Sequence, residues 1–326
     1  METQANWGAA VRGVSVQFKD FFSQNVDSYV PGWDPVVKTE TDDSARANFS
    51  GKTGAGVLSR FTEGAAVPTK RRYKLYDTAF VHDQYGGQIE VTRMQLMNRD
   101  FDAAFGEFKD LSMAAKILLS KGPAQIFNRA FTAASGVTGG VYVTQYADGT
   151  QLASTIHPRA DGGSSQSNAS STGITLTEAN LETGRIALVT QLQDDGNPIT
   201  VTGPIHLVVP TQLEKTASII TGSTKRSGTA NNDLNFYDGG RFPVLASHWL
   251  QSGISGTSVG SNTAWFLVVP SIAKLALVLR TQPSLDESVD KNTKSVLFDV
   301  IVDFSVGSKD WHGVWCSLGD GAAYSL

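Results

Sequence analysis

The sequence predicts an α+β fold in which an extended arm and a projecting β-loop precede a long helix and an α/β region. Residues 1–56 show no sustained spacing of 2 or 3.6, whereas residues 101–134 repeat apolar side chains at helical spacing. From residue 199 onward, short apolar runs typical of strands alternate with helical patterns and turn residues. The chain has no internal repeat of roughly 20 to 50 residues, so a solenoid is not expected.

The composition is that of a globular protein with many loops. Of the 326 residues, 40% are hydrophobic and 18% are charged, and 32 are glycine. The net charge of −4 does not favour a protein that reads nucleic-acid sequence, because such proteins carry a basic domain or stripe. Cys316 is the only cysteine, so no internal disulfide can form, and the sequence shows no Cys/His cluster with metal-ligand spacing.

Neither a secretion signal nor a membrane helix is expected. The N-terminal sequence METQANWGAAVRG lacks the basic start and apolar core of a signal peptide. The longest apolar stretches, at 205–210 and 264–270, fall far short of the roughly 20 residues that a membrane helix needs. We therefore expect no membrane partner and interpret these stretches as core strands.

Residues 1–56 combine scattered aromatic side chains with polar segments such as KTETDDSARANFSGKTG. A polar arm of this kind gains little by packing on itself, and aromatic side chains are enriched where chains meet. We expect the arm to lie on a neighbouring subunit, with Trp7, Phe21 and Trp33 as candidate contacts.

Residues 57–97 contain two strand-like runs, KRRYKLYDTAFVHD and GQIEVTRM, separated by residues 84–87. Gly86 and Gly87 supply the positive φ angles that a tight reversal needs, so the two runs are predicted to pair as a hairpin. The region holds too few apolar residues for a core of its own. This favours a projecting loop that packs on another subunit.

The same region carries a basic cluster interleaved with tyrosines: Lys70, Arg71, Arg72, Tyr73, Lys74 and Tyr76. In order of preference, this cluster meets an acidic neighbouring subunit, forms a solvated strand face or contacts DNA phosphates. All six residues are therefore candidate intersubunit contacts.

The strongest local signal is RDFDAAFGEFKDLSMAAKILLSKGPAQIFNRAFTA, which predicts a helix over about 100–134. Asp100 suits the N-cap position. Gly122 and Pro123 favour a kink or an end, but the apolar spacing resumes at Ile126. A helix through to Ala134 would be about 50 Å long at a rise of ~1.5 Å per residue.

The remaining segments predict a long polar loop at 135–175, a helix at 177–193 stopped by Asp195-Gly196-Asn197-Pro198, and an α/β region. That region contains one predicted helix, TQLEKTASIIT, and closes with two strands around an acidic turn at 285–290. Its predicted strands are ITVTGPIHLVVP, PVLAS, AWFLVV, LALVLR and SVLFDVIVDFSVG.

Two short motifs resemble enzyme signatures without their context. Residues 256–260 match GxSxG, but they lie in a Gly/Ser-rich loop rather than between a buried strand and a helix. Gly51-Lys52-Thr53 resembles the end of a phosphate-binding loop, but Arg46 stands where the first glycine is required. A simple turn is the favoured interpretation of the first, and the nucleotide interpretation fails for the second.

Two further groups suggest acid–base or metal chemistry. His157 lies beside Arg159 and Asp161 with no partner motif elsewhere, which favours a loop histidine held by hydrogen bonds. Residues 194–196 resemble a fragment of a calcium loop, but the other ligands and the bidentate glutamate are missing. We predict no catalytic residue, no metal site and no cofactor.

Particular segments, in this order of parts, resemble the Hong Kong 97-type major capsid proteins of tailed phages. They are FTEGAAVP before the hairpin, GGQIEVTRMQLMN leading into the long helix and HPRADGGSSQSN after it. The likeness continues through LETGRIALVTQLQDDGNPITVTGPIHLVVPTQLEKTA and LRTQPSLDESVDKNTKSVLFDVIVDFSVGSKDWHGVW. It spans nearly the whole chain as a pattern of composition and order.

The resemblance implies a Hong Kong 97-type capsid fold with six parts. These are an N-terminal arm (1–56), an extended E-loop (57–97), a P domain with a spine helix at about 100–134 (98–175), an A domain (176–274), a long P-domain hairpin (275–308) and a C-terminal return to the A domain (309–326). The helical scaffold-like segment of the founding member has no counterpart here, so scaffolding is expected from a separate protein or a cleaved segment. Lysine–asparagine crosslinking is not carried over, because nothing identifies an asparagine partner for Lys70 or Lys74.

The function implied is that of a major capsid protein without catalytic activity. Hexamers and pentamers would form an icosahedral or prolate shell around double-stranded DNA in the virion, after assembly in the bacterial cytoplasm. The implied partners are copies of the chain, a scaffolding protein, a portal, decoration proteins and DNA bound without sequence recognition. Two alternatives remain, an encapsulin-like nanocompartment shell and, more remotely, a secreted β-rich adhesin or hydrolase.

Overall fold

A computed structural model describes residues 16–24, 26, 32–54, 57–69, 72, 74–98, 101–132, 142–143, 148–226, 233–254, 260–290, 292–293 and 295–323. Within these residues, the strands form a five-stranded sheet, a four-stranded sheet and a two-stranded hairpin. The fold is therefore α+β, as the sequence predicts. None of the helices in the described ranges is both long and apolar enough to cross a membrane.

The elements follow the chain in this order. The helices are α1 (residues 16–24), α2 (Arg93–Asn98), α3 (Phe101–Asn128), α4 (Glu178–Val189) and α5 (Thr211–Gly222), with a 3₁₀ turn at His248–Leu250. The strands are β1 (Lys38–Thr41), β2 (Arg46–Lys52), β3 (Lys74–Val81), β4 (Asp83–Val91), β5 (Tyr142–Val143), β6 (His206–Pro210), β7 (Val244–Ser247), β8 (Trp265–Val268), β9 (Leu275–Val289), β10 (Val296–Ser308) and β11 (Val314–Ser317).

The larger sheet is built around β9 and β10, which pair antiparallel as the predicted C-terminal hairpin. The predicted turn at 285–290 is wrong, because β9 continues to Val289 and its residues 285–289 pair with β10. Its strand order is β1-β9-β10-β4, and β5 pairs with β10 beside this path. Alternate residues of β10, such as Phe298, Val300 and Val302, are buried, which is the period of 2 that a strand with one core face shows. This face of β10 contacts α3.

The predicted long helix is confirmed as α3, although it ends at Asn128 rather than Ala134. Phe108, Ala115 and Phe127 lie on its buried face, as the apolar spacing predicts. Pro123 cannot donate a backbone hydrogen bond within the helix, yet the helix continues past it. Residues 122–128 are all buried, so tertiary packing outweighs the local cost of the Gly-Pro pair. Asp100, the predicted N-cap, lies outside the described residues.

The predicted hairpin between β3 and β4 is wrong. β3 pairs antiparallel with β2, and β4 pairs with β10 in the larger sheet. Gly86 and Gly87 lie inside β4, opposite Ile301 and Val300 of β10, rather than in a turn. A Cβ on Gly87 would lie 2.9 Å from Leu111 Cδ1, so the missing side chain serves the close packing of α3 on β4.

The N-terminal region also differs from the prediction of an arm without regular structure, because part of it is helical and packs on the subunit's own core. Phe18 and Phe22 of α1 are buried, and the Phe18 ring stacks 4.2 Å from that of Phe108. Trp33 is only 4% exposed, and its indole Nε1 donates to the Ser120 carbonyl at 3.0 Å. Trp33 is therefore a core residue in this structure rather than a surface anchor.

The smaller sheet has the order β11-β8-β6-β7, and its own core lies between the sheet and helices α4 and α5. The predicted strands at β6, β7 and β8 and the helices α4 and α5 are confirmed, although β6 begins at His206 rather than at residue 199 and α4 ends at Val189 instead of residue 193. Thr177 caps α4 by accepting a hydrogen bond from the Asn180 amide at 3.2 Å. The C-terminal strand β11 pairs with β8.

Two glycines in helices predict opposite effects of the same substitution. A Cβ on Gly184 of α4 would lie 2.9 Å from the Trp315 ring, whereas Gly106 of α3 has nothing within 4 Å. We expect Gly184→Ala to lower the free energy of unfolding of the unassembled subunit by about 1–3 kcal/mol through overpacking. Gly106→Ala should raise it by about 0.5–1 kcal/mol through helix propensity. Urea unfolding of both variants checks this, and equal shifts would contradict the packing assigned to Gly184.

Candidate intersubunit surfaces

The loop that joins β2 to β3, residues 53–73, exposes a series of large apolar side chains. Val57, Leu58, Phe61 and Val67 are all more than half exposed, and Leu58 is 86% exposed. A single exposed apolar residue needs no explanation, but several on one loop of about 20 residues mark an interaction surface. We call residues 53–73 the hairpin loop.

The basic cluster predicted as an intersubunit contact lies at the C-terminal end of this loop. Arg72 and Lys74 are exposed, and Lys74 Nζ lies 2.5 Å from Oδ2 of Asp77, three residues further along β3. An exposed ion pair contributes little to folding. Tyr76 lies within β3, whereas Lys70, Arg71 and Tyr73 lie outside the described residues.

Of the three candidate contacts in the N-terminal region, Phe21 and Trp33 lie within the described residues. Trp33 is buried, as described above. Phe21 is half-buried on α1, with its ring 5.3 Å from that of Phe105. Trp7 lies outside the described residues.

A second exposed apolar patch lies on the smaller sheet's side of the molecule and was not found by sequence reasoning. Leu234 is 84% exposed, and the exposed Phe236 ring lies near two guanidinium groups. Arg185 Cζ is 5.5 Å and Arg241 Cζ is 4.9 Å from the ring centroid. Arg185 lies 51 residues before Phe236 in the chain, so no local pattern indicates that these two side chains meet.

The base of the β2–β3 hairpin is fixed, in contrast to its loop. Phe80 of β3 packs in a small core with Val278 of β9. Lys309 Nζ lies 3.7 Å from the centroid of the Phe49 ring and also contacts the Glu40 carboxylate. A cavity of about 190 Å³ lies beside this contact, between the hairpin base and the segment that follows β10.

Two histidines pack against Trp311 next to the hairpin base. The His157 ring is stacked on Trp311 with centroids 4.4 Å apart, and the His312 ring stacks on it at 3.9 Å. His157 is fully buried and lies 2.8 Å from Thr150 Oγ1 and 3.1 Å from Asp148 Oδ2. The interpretation of His157 as a loop residue held by hydrogen bonds is therefore confirmed.

His312 is placed as a charged side chain. Its Nδ1 is 2.6 Å from Asp310 Oδ1 and its Nε2 is 3.1 Å from the Leu192 carbonyl, so both ring nitrogens face acceptors. Burial works to lower the pKa of His312, but the hydrogen bond and charge of Asp310 raise it above its usual value. Burial likewise works to raise the pKa of Asp310, but His312 and Lys274 hold it well below its usual range.

The segment at residues 194–197, which the sequence predicts to stop α4, has a structural role. Gly196 has φ +82° in the turn after α4, and Asn197 N donates to Asp195 Oδ1 at 3.0 Å, so the stop signal is a confirmed turn. Asp194 is buried, which raises the pKa of its carboxyl. In the part of the chain that the structure describes, no group of three acidic, histidine or cysteine side chains is arranged to hold a metal ion.

The two enzyme-like motifs are equally uninformative about chemistry. Gly51 and Lys52 end strand β2, and the described residues between β2 and β3 contain no helix, so the arrangement differs from a phosphate-binding loop. Of the GxSxG segment, residues 256–259 lie outside the described residues.

Comparison with known families and structures gives a consistent result. The family described as "Phage capsid protein" matches residues 76–317. The capsid of Ralstonia phage GP4 is 13% identical with a TM-score of 0.54, and the match covers 86% of each chain. The capsid of bacteriophage JBD30 is 12% identical with a TM-score of 0.52, over 68% of this chain and 91% of that one. A search of curated protein sequences found no significant match.

The charged His312 predicts a specific pH dependence of stability. The pKa of His312 is higher in the folded subunit than in the unfolded chain, so protonation of this side chain stabilises the fold. This stabilisation is fully present below the unfolded-state pKa of about 6.5 and is lost as the pH rises through the folded-state pKa. We therefore expect the Tm advantage of the unassembled wild-type subunit over His312→Gln to shrink as the pH rises from about 6 to about 9. Thermal unfolding across this range tests it, with His248→Gln as the control. An advantage that stays constant with pH would show that His312 is neutral in the fold.

Proposed function

Because the chain belongs to the phage capsid protein family, we propose that it is the major capsid protein of a tailed double-stranded DNA bacteriophage. The family match covers residues 76–317, which include both sheets' longest strands and helix α3. The structures of phage GP4 and JBD30 capsids support the same fold. In this role the chain is a structural component of the virion shell and has no catalytic activity of its own.

The observation that carries this proposal within the subunit itself is the exposed hairpin loop. Folding of a single chain leaves its apolar side chains in contact with solvent, since Val57, Leu58 and Val67 are each more than 70% exposed. Burying such side chains is favourable by about 1.5–3 kcal/mol each, so a protein that keeps them exposed needs a partner surface. In a shell, the neighbouring subunit provides that surface.

The parts of the subunit take the following proposed roles. The β2–β3 hairpin and its loop act as the E-loop, with α3 as the spine helix of a P domain that includes the β9–β10 hairpin. The smaller sheet, with α4, α5 and the returning strand β11, acts as the A domain. Hexamers and pentamers would then assemble through repeated heterologous contacts of these parts.

The partners follow from this role. Copies of the chain form the shell, while a scaffolding protein and a portal direct its assembly in the bacterial cytoplasm. Packaged DNA is contacted without sequence recognition, which is compatible with a net charge of −4 when individual lysines and arginines face the interior. The JBD30 capsid has been observed with minor capsid protein trimers that decorate it, and decoration is a further proposed partner class here.

The particle and its contents test the proposal directly. We expect the recombinant chain, expressed alone or with its neighbouring open reading frames, to form closed shells, tubes or capsomers in negative-stain microscopy and sedimentation. Particles that take up DNA in the presence of the packaging proteins support a phage head, whereas a co-purifying cargo enzyme would indicate an encapsulin-like compartment instead. A chain that stays monomeric or dimeric in every combination would overturn the shell assignment.

The hairpin loop should be needed for assembly but not for folding. We expect Leu58→Ser combined with Val67→Ser to leave the Tm of the subunit unchanged, because both side chains are exposed, and to reduce particle yield at least about tenfold. Gradient sedimentation measures the yield and circular dichroism the fold. The control combines Thr62→Ala with Glu63→Ala in the same loop, and an equal loss of particles in that control would contradict an apolar contact.

A further inference from the structure

The two chain connections between the β2–β3 hairpin and the larger sheet are neighbours in space. Residues 42–45 lead from β1 into β2, and the single residue His82 joins β3 to β4. β1 and β4 belong to the larger sheet, whereas β2 and β3 form the two-stranded one. Asp42 in the first connection interacts electrostatically with His82 in the second. We call His82 together with residues 42–45 the joint.

The apolar packing of the hairpin on the larger sheet is limited. It consists of four buried residues, Ala47 and Phe80 of the hairpin and Ala276 and Val278 of β9. Segments held by few buried apolar contacts open locally at a lower free energy than the whole fold. We therefore expect the hairpin base to separate from the larger sheet before the subunit unfolds.

Two polar atoms at the joint are buried without a hydrogen bond. They are Nε2 of His82 and Oδ1 of Asp303, and neither has a partner within the described residues. The Nδ1 atom of His82 lies 3.0 Å from Ser305 Oγ, and Oδ2 of Asp303 accepts from Thr281 Oγ1 at 3.2 Å. A buried polar atom without a partner destabilises the closed arrangement relative to one that exposes the atom to water. Opening of the joint supplies that water to both atoms.

The closed joint also disfavours a positive charge on His82. Burial has the largest effect on the pKa of His82 and lowers it. Of the charged groups around the ring, Asp42 and Asp303 work to raise this pKa, whereas Arg280 of β9 lowers it. The net result is a pKa below the usual value of about 6.5.

This direction determines how the joint responds to acid. A side chain whose pKa is lower in the closed arrangement than in the open one binds a proton preferentially when the joint is open. The closed joint is therefore favoured most above the open-state pKa of about 6.5, and this preference weakens as the pH falls towards the closed-state pKa of His82.

We propose that the joint is a proton-sensitive hinge, which holds the hairpin on the larger sheet while His82 is neutral and releases it when His82 binds a proton. The geometry carries this inference, because a single residue links strands of two different sheets and buried polar atoms at that residue gain water when the hairpin base lifts. The hairpin also carries the exposed hairpin loop, so the hinge makes the position of that loop depend on pH. The inference concerns the single subunit and goes beyond the proposed function.

Thiol reactivity of the unassembled subunit measures the opening directly. Ala276→Cys places a thiol in the apolar core that the hairpin covers, at a position that is 1% exposed. Its reaction rate with dithiodipyridine, divided into the rate for the unfolded chain at the same pH, gives a protection factor. We expect this factor to fall at least about threefold between about pH 7.5 and about pH 5.0, with an upper limit of about thirtyfold set by the open-state pKa.

Two controls separate the hinge from other effects of acid. Cys316 is fully buried in the smaller sheet, so its protection reports global unfolding and should not fall. In the Ala276→Cys background, His82→Gln should abolish the pH dependence, because glutamine has hydrogen-bonding groups but no proton to gain. His206→Gln should leave it unchanged, since burial also lowers the pKa of His206 but this residue lies in β6.

A second pair of variants changes the size of the effect without replacing His82. Arg280 is exposed and lowers the pKa of His82, so Arg280→Gln should weaken the pH dependence. Asp303 raises this pKa, so Asp303→Asn should strengthen it.

Three results would overturn the hinge. They are a protection factor at position 276 that does not fall in acid, an equal fall in the His82→Gln background, and an equal fall at Cys316, which would show global unfolding instead. Each of these results leaves the shell function intact, because particle formation is measured separately.

Discussion

Both sheets of the subunit pack on one helix, α3, and the positions of the other elements follow from that packing. In the N-terminal half of α3, the ring centroid of Phe108 lies 4.9 Å from that of Phe298 in β10. Near the C-terminal end of α3, the ring centroid of Phe127 lies 5.1 Å from that of Phe266 in β8 of the smaller sheet. A helix of 28 residues is about 42 Å long, so a single rigid element holds the two sheets at a fixed separation. This explains why Gly122 and Pro123 do not end it, because the residues beyond them are part of the core.

The same packing determines what remains uncovered. The inner side of α3 is occupied by the sheets and by Phe18 of α1, whereas Met113 and Ile117 on its outer side are exposed. The hairpin base is fixed to β9 and to Lys309, whereas Leu58 and Val67 of its loop are largely exposed. The subunit thus exposes apolar surfaces at defined places, which suits a protein whose stability comes largely from contacts between copies.

Sequence reasoning succeeded where burial follows a local period. The alternation in β10 and the helical spacing in α3 are each produced by one core face, so they can be read from consecutive residues. It failed where the partner is distant in sequence. β3 pairs with β2 across the hairpin loop, and Gly86-Gly87 was interpreted as a turn because a packing glycine and a turn glycine look the same in a sequence. The intersubunit role of the hairpin loop stays a prediction.

The N-terminal region shows a different limit. Phe18, Phe22 and Trp33 have no pattern of their own that separates a core residue from a surface anchor. Their burial depends on α3 and β10 already being in place, since Phe18 contacts Phe108 and Phe298 from those two elements. A segment that docks on a completed core can therefore be recognised as aromatic from its sequence, but not as internal or external.

The hydrogen bonds of Asp310, His312 and Lys274 next to Trp311 constrain the orientation of the segments they join, which apolar packing alone does not do. Hydrophobic contacts tolerate small rotations of one layer on another, whereas hydrogen bonds to charged groups fix both distance and angle. Asp310 accepts from both His312 and Lys274, and His312 reaches the Leu192 carbonyl beyond α4. These bonds tie the segment after β10 to the turn after α4, beside the cavity at the hairpin base. Since α4 packs on the smaller sheet and β10 belongs to the larger one, these bonds fix the two sheets relative to each other in both distance and angle.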